Sequence, residues 1–193
     1  MKYINNIFTV EKSSLTKVIK KFETPIFCYS EKKINENITK FKGSFKSFSP
    51  IICFSTKSNC NLEILKLIKR SGLGADVVSK GELMLALKAG INSKKIVFSG
   101  VGKTRSELIY AIDKNILLIN CESKSEILEI ERIAKSKNKM VDIGIRLNPN
   151  TDAKTLKQIS TGKKENKFGI NEKTFMEALE HIKGSKFLNL KCL

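Results

Sequence analysis

The sequence predicts an α/β fold built on a parallel sheet. Short β-branched or apolar runs alternate with helical patterns, and the first five runs begin about 20 to 25 residues apart. Most helical patterns start at a capping signal directly after an apolar run, where a tight strand-to-helix turn belongs. The runs themselves are nearly continuous in apolar character, as strands covered by helices must be. Such alternation fits a sheet that is open and doubly wound, or one that closes as a barrel.

Taken in order, Met1–Thr24 is a lead-in segment with a weak helix around Ser14–Phe22, ended by Thr24-Pro25. Ile26–Ser30 reads as a short separate strand. The repeating strands are Ile51–Lys57, Ala75–Ser79, Lys95–Ser99, Leu117–Cys121, Val141–Leu147 and Phe187–Leu193. Between them fall helices over Leu62–Arg70, Gly81–Ala89, Arg105–Lys114 and Glu126–Lys137, with a further one over Thr174–Lys183. Leu62 and Leu65, then Leu83 and Leu87, keep the three- and four-residue spacing of one helix face. Ser79–Glu82, Thr104–Glu107 and Ser123–Glu126 fit the capping-box pattern. Gly72 and Gly90 stand where helix ends favour positive φ. Asn148–Glu172 is polar and too long for an ordinary connection, which marks it as a functional loop.

Thirty-two lysines and four arginines against 19 acidic residues give the chain its formal charge of +17. Readers of nucleic acid favour arginine, cluster their charge and interleave aromatics. Here the lysines are dispersed, Trp is absent and Tyr occurs three times. Compositional drift toward Lys, Asn and Ile accounts for the charge, and no specific nucleic-acid partner is expected. The apolar runs are too short for a transmembrane helix, and the N-terminus lacks a signal-peptide core, so a cytoplasmic location is expected. Five well-separated cysteines without a C-x-x-C pair read as reduced thiols. One histidine, His181, provides neither a zinc ligand set nor the base of a Ser-His-Asp mechanism.

Two motifs bear on chemistry. Ser99-Gly100-Val101-Gly102-Lys103-Thr104 follows a strand and opens a helix, but Val97 stands where a phosphate loop needs its first glycine. A glycine-rich turn before a capped helix is the plainer reading. Lys57 closes an apolar strand, at the end where parallel sheets keep their active sites. Desolvation there favours the neutral amine that attacks a carbonyl, although a surface lysine at a strand end remains the simpler reading of spacing alone.

Phe54-Ser55-Thr56-Lys57-Ser58-Asn59 resembles the Y-A-x-K-A-N motif of the pyridoxal-phosphate decarboxylases that combine a barrel with a β-domain. Gly74-Ala75-Asp76-Val77-Val78-Ser79-Lys80-Gly81-Glu82-Leu83 resembles their G-A-D-V-V-S-x-G-E-L. Lys95–Thr104 and Asn120-Cys121-Glu122-Ser123 fall in the same order. Asp152-Ala153-Lys154-Thr155, Ile159-Ser160-Thr161-Gly162 and Asn166-Lys167-Phe168-Gly169-Ile170 are similar to the diaminopimelate decarboxylases within that family. The resemblance covers about residues 24 to 193.

It implies an incomplete (β/α)8 barrel over residues 25–193 with about six of eight parallel strands, the β-domain being absent. It also implies a lyase that makes L-lysine from meso-2,6-diaminopimelate, with pyridoxal 5'-phosphate carried on Lys57 and bordered by Asp76 and Arg146. A strand-end ion pair for Asp76 and a scaffold salt bridge for Arg146 are the simpler alternatives. Glu82 matches too, but capping already explains it. The Ile159–Gly169 loop would border the pocket, and homodimers are expected of the full-length family. Phe54 and Ser55 depart from Tyr-Ala, and Leu156 stands where the family commonly has His. The sequence stops before the family's H-x-H-I-G-S-Q motif, so a chain inactive on its own is expected. A non-catalytic pyridoxal-carrying barrel and a basic nucleic-acid-binding protein are the alternatives.

Overall fold

The computed structural model describes residues 2–151 and 168–193, which fall into two compact units, residues 1–50 and 51–193. The first unit holds a three-stranded antiparallel sheet, β1 (Lys2–Ile4), β2 (Ile7–Val10) and β3 (Ser13–Ser14). Two helices follow, α1 (Leu15–Lys21) and α2 (Glu31–Ser44). Ser30 caps α2 by accepting from the Lys33 N–H. Glu11 Oε1 adds a second anchor, accepting from Ser30 Oγ and the Lys32 N–H, both at 2.8 Å. The Lys32 N–H, with the Ser30 hydroxyl, holds the Glu11 carboxyl below its ordinary value.

The small sheet and α2 have no counterpart among the elements expected from the sequence. The strands lie outside the strand–helix repeat with Tyr3, Ile4 and Ile7 exposed, and no residue of α2 is fully buried. Ile26–Ser30, expected as a strand, is not one. It pairs with no strand among the described residues, and Phe27 is 91% exposed.

The second unit is one sheet of six parallel strands in the order β4 to β9: Cys53–Ser55, Gly74–Val77, Ile96–Phe98, Leu118–Cys121, Val141–Ile145 and Leu188–Cys192. Helices α3 (Leu62–Arg70), α4 (Lys80–Lys88), α5 (Arg105–Asp113), α6 (Lys124–Ser136) and α7 (Glu172–Gly184) connect them. Spatial order equals chain order throughout. That is an arc of a (β/α)8 barrel and not a doubly wound sheet, whose order reverses at a switch point.

Strand register separates two faces. Ala75 pairs with Ile96, Val77 with Phe98, and Ile119 with Phe98 and Ile143. All of these are at most 1% exposed. They meet Leu65, Leu83, Leu108, Ile127 and Ile130 from the helices, each also at most 1% exposed. Full burial of one large apolar side chain of this layer contributes about 1.5–3 kcal/mol. Residues one step out of phase form the other face: Ser55 pairs with Asp76, Asp76 with Val97, and Asn120 with Gly144.

Helix ends follow the sequence signals with one change. Ser79, Thr104 and Ser123 each accept from the N–H three residues on. Only Thr104–Glu107 closes a complete box. Glu82 and Glu126 reach one residue further back, to the N–H groups of Val78 and Glu122. Gly72 and Gly90 adopt φ of 77° and 84° after α3 and α4.

His181 lies on α7, where Nε2 is 2.7 Å from Glu131 Oε2. Ser185 donates to the other Glu131 oxygen. The Ser185 hydroxyl, assisted by His181, holds the Glu131 carboxyl below its ordinary 4.5. A lowered folded pKa stabilises above the unfolded value and is lost as pH falls through the folded one. The stability advantage of wild type over Glu131→Gln should therefore be full above pH 4.5 and shrink below it. Urea titrations at stepped pH check this, and an advantage that grows on acidification contradicts it.

Candidate active site

The carboxyl ends of the strands gather the polar side chains of the second face. Lys57 lies just beyond β4, in a 3-10 turn over Thr56–Ser58. The strand expected over Ile51–Lys57 thus stops at Ser55. The turn is pinned by the Ser58 hydroxyl, which donates to the Ser55 carbonyl at 2.7 Å, and by the Asn59 N–H, which donates to Thr56. Lys57 is exposed and makes no hydrogen bond or ion pair among the described residues. The desolvation expected around it is therefore not provided by the described residues. Thr56 beside it is fully buried, and its hydroxyl has no partner among the described residues.

Asp76, on β5, is half-buried and is not part of an ion pair among the described residues. Its Oδ1 accepts from Ser99 Oγ at 2.6 Å, and Ser99 Oγ accepts from Asn120 Nδ2 at 3.1 Å. The Ser99 main chain extends the sheet by one bond, its N–H donating to the Val77 carbonyl. Asn120 lies across from Gly144, where an added Cβ would stand 2.3 Å from Asn120 Oδ1. A side chain there would push the Asn120 amide out of this position.

Arg146 leaves the end of β8, its N–H bonded to the Cys121 carbonyl at 2.9 Å. Its guanidinium pairs with Glu122 Oε1 at 3.2 Å and lies 4.6 Å from the Phe168 ring centroid. Glu122 is 6% exposed, and its other oxygen accepts from the Gly169 N–H at 2.9 Å. One buried carboxylate thus binds the strand-end arginine to the chain returning at Phe168-Gly169-Ile170. The scaffold ion pair expected as the simpler role of Arg146 is present. Its side chain is still 41% exposed and open to a further partner.

The glycine-rich turn holds no free lysine. Lys103 Nζ donates at 2.7 Å to the carbonyls of Gly100 and Asn120 and to Glu126 Oε1, with its side chain 1% exposed. All three ammonium protons are used within the fold. Leu156, and the stretch Asp152–Lys167 that carries much of the quoted motif, lie outside the described residues.

Ser99, Asn120 and Glu122 were quoted in motifs but not read as site residues. Each is the polar position in or just after an apolar strand, and that is the signal that marks them. No group of three or more His, Cys, Asp or Glu able to hold a metal ion occurs among the described residues. None of the described helices is long and apolar enough to cross a membrane.

This lysine-bearing arc of parallel strands defines a recognised class. Residues 31–192 match the family described as pyridoxal-dependent decarboxylase, pyridoxal binding domain, and the chain belongs to that family. It is 48% identical over 167 residues to the diaminopimelate decarboxylase of Helicobacter pylori strain J99, covering 86% of this chain and 41% of that protein. It is 38% identical over 191 residues to the diaminopimelate decarboxylase of Aquifex aeolicus, covering 99% and 44%. The crystal structure of the Helicobacter pylori diaminopimelate decarboxylase complexed with L-lysine matches with a TM-score of 0.88 at 43% identity, over 93% of this chain and 46% of that one. The chain spans less than half the length of these relatives.

Lys103 sets a measurable cost. Removing one partner of a buried pair leaves an uncompensated charge and costs about 3–5 kcal/mol. Lys103→Met, which keeps the length of the stem, should lose stability on that scale in urea denaturation, because Glu126 stays buried. A loss under about 1 kcal/mol, the range of an exposed pair, contradicts the assignment.

Proposed function

We propose that the chain supplies the lysine-bearing part of a decarboxylase acting on meso-2,6-diaminopimelate to give L-lysine. One observation carries the reading. The family match spans residues 31–192, and Lys57, Asp76 and Arg146 with them, while relatives at 38–48% identity are diaminopimelate decarboxylases.

The donor set fits a pyridoxal phosphate. Lys57 offers an unengaged amine that can hold the cofactor's carbonyl carbon covalently. Asp76 offers a carboxylate oxygen, Oδ2, that accepts no hydrogen bond among the described residues. Arg146 offers the exposed part of a guanidinium to an anionic oxygen. When bound, pyridoxal phosphate supplies the sink for the electron pair left as carbon dioxide departs. The Lys57 amine would also be able to hold or release a proton there. The relatives' activity belongs to their whole length, so these 193 residues should not turn over substrate at a full-length rate.

The test uses the purified chain with pyridoxal phosphate, followed by borohydride reduction and peptide mass spectrometry. Thirty-two lysines compete for the aldehyde, so selectivity is the readout. The adduct should concentrate on Lys57, Lys57→Ala should lose it, and carbon dioxide release from diaminopimelate should stay far below that of a full-length relative. Labelling spread evenly over the lysines sinks the cofactor assignment.

A further inference from the structure

The three polar side chains on β5, β7 and the end of β6 form a directed chain. The Asp76 carboxylate can only accept, so the short 2.6 Å contact takes the single proton of Ser99 Oγ. Ser99 must then accept at its lone pair, which assigns the Asn120 contact at 3.1 Å to the Nδ2 donor. That leaves Asn120 Oδ1 on the side of Gly144, which presents no side chain. The main chain of Asn120 is held as well, its carbonyl taking a 2.7 Å hydrogen bond from the buried Lys103. Every link therefore has one orientation. A carboxylate alone at a strand end turns freely about its last bond, whereas this one has Oδ1 fixed and Oδ2 left for a ligand.

We propose that Ser99 and Asn120 are positioning residues for Asp76, holding its carboxylate in the one orientation that serves a cofactor carried on Lys57. The proposal rests on the reading of Asp76 as part of the pyridoxal pocket. Ser55 and Asp76 are register partners, and Lys57 follows Ser55 by two residues. The carboxylate is thereby placed on the strand next to the lysine. A carboxylate oriented toward a cationic nitrogen stabilises it, and one free to rotate does so less well.

The experiment compares Asp76→Asn, Ser99→Ala, Ser99→Thr and Asn120→Asp with wild type in the full chain, by titrating pyridoxal phosphate and quantifying the borohydride-trapped adduct at Lys57. Asn120→Asp keeps the shape against Gly144 and removes the donor, and thermal unfolding verifies that each variant is folded. Losing the hydrogen bond to the Asp76 carboxylate should raise the half-saturating concentration on the order of tenfold in Ser99→Ala, and losing the neutral Asn120 donor should raise it about threefold in Asn120→Asp. Ser99→Thr keeps the hydroxyl and should restore Lys57 trapping, a rescue that a purely packing role does not produce. If Asp76→Asn weakens trapping while Ser99→Ala and Asn120→Asp do not, the positioning proposal falls and the pocket stands. If Asp76→Asn has no effect, the reading of Asp76 fails, and the proposal with it.

Discussion

The site depends on the alternation of side chains across a parallel sheet. Helices α3 to α7 demand an apolar surface, and Ala75, Val77, Ile96, Phe98, Ile119 and Ile143 supply it with almost no exposure. Because a strand reverses face at every residue, each polar side chain excluded from that layer must emerge on the opposite face. Asp76, Asn120 and the ladder extension at Ser99 are there for this reason. The parallel register then lines up the strand ends, so residues 21 to 23 positions apart in sequence become hydrogen-bond partners. The hydrophobic layer and the polar site are two consequences of one constraint.

Charge is handled differently at the two ends of the sheet. At the carboxyl ends, Lys103 and Glu126 are withdrawn from water and held by each other and by main-chain groups, and the buried Glu122 is held by Arg146 and the Gly169 N–H. Their desolvation is tolerable because each has several partners. They tie the strand ends to the helices, while Lys57 has no partner among the described residues. Beyond the other end of the last strand pair, Glu131, His181 and Ser185 join α6 to the turn before β9. That cluster has serine and histidine both on the carboxylate, an arrangement that gives no nucleophile–base contact.

Much of this was legible in the sequence, and what was not has physical causes. The six strands, the five connecting helices and the caps at Ser79, Thr104 and Ser123 stand out because long apolar periods and local capping act over a few residues. The small β1–β3 sheet escaped because its strands stand outside the strand–helix repeat and leave Tyr3, Ile4 and Ile7 exposed, so no buried apolar run marks them. Position and resemblance single out Lys57 as a candidate, but not its 3-10 turn, since a turn of that kind is fixed by Ser58 and Asn59 rather than by alternation. Lys103 illustrates the reverse error to avoid: a lysine in a glycine-rich turn invites a phosphate, and only its three acceptors reveal a structural cation. Ser99 and Asn120 could be listed from the sequence, but not their direction of donation, which needs the register of three strands.

The most direct measurement is a crystal structure of the full chain grown with pyridoxal phosphate. Continuous electron density should run from Lys57 Nζ to the cofactor, with Asp76 Oδ1 still on Ser99 and Arg146 at the pocket edge. Density for the cofactor on a different lysine, or a Lys57 amine left free in its presence, would contradict the account.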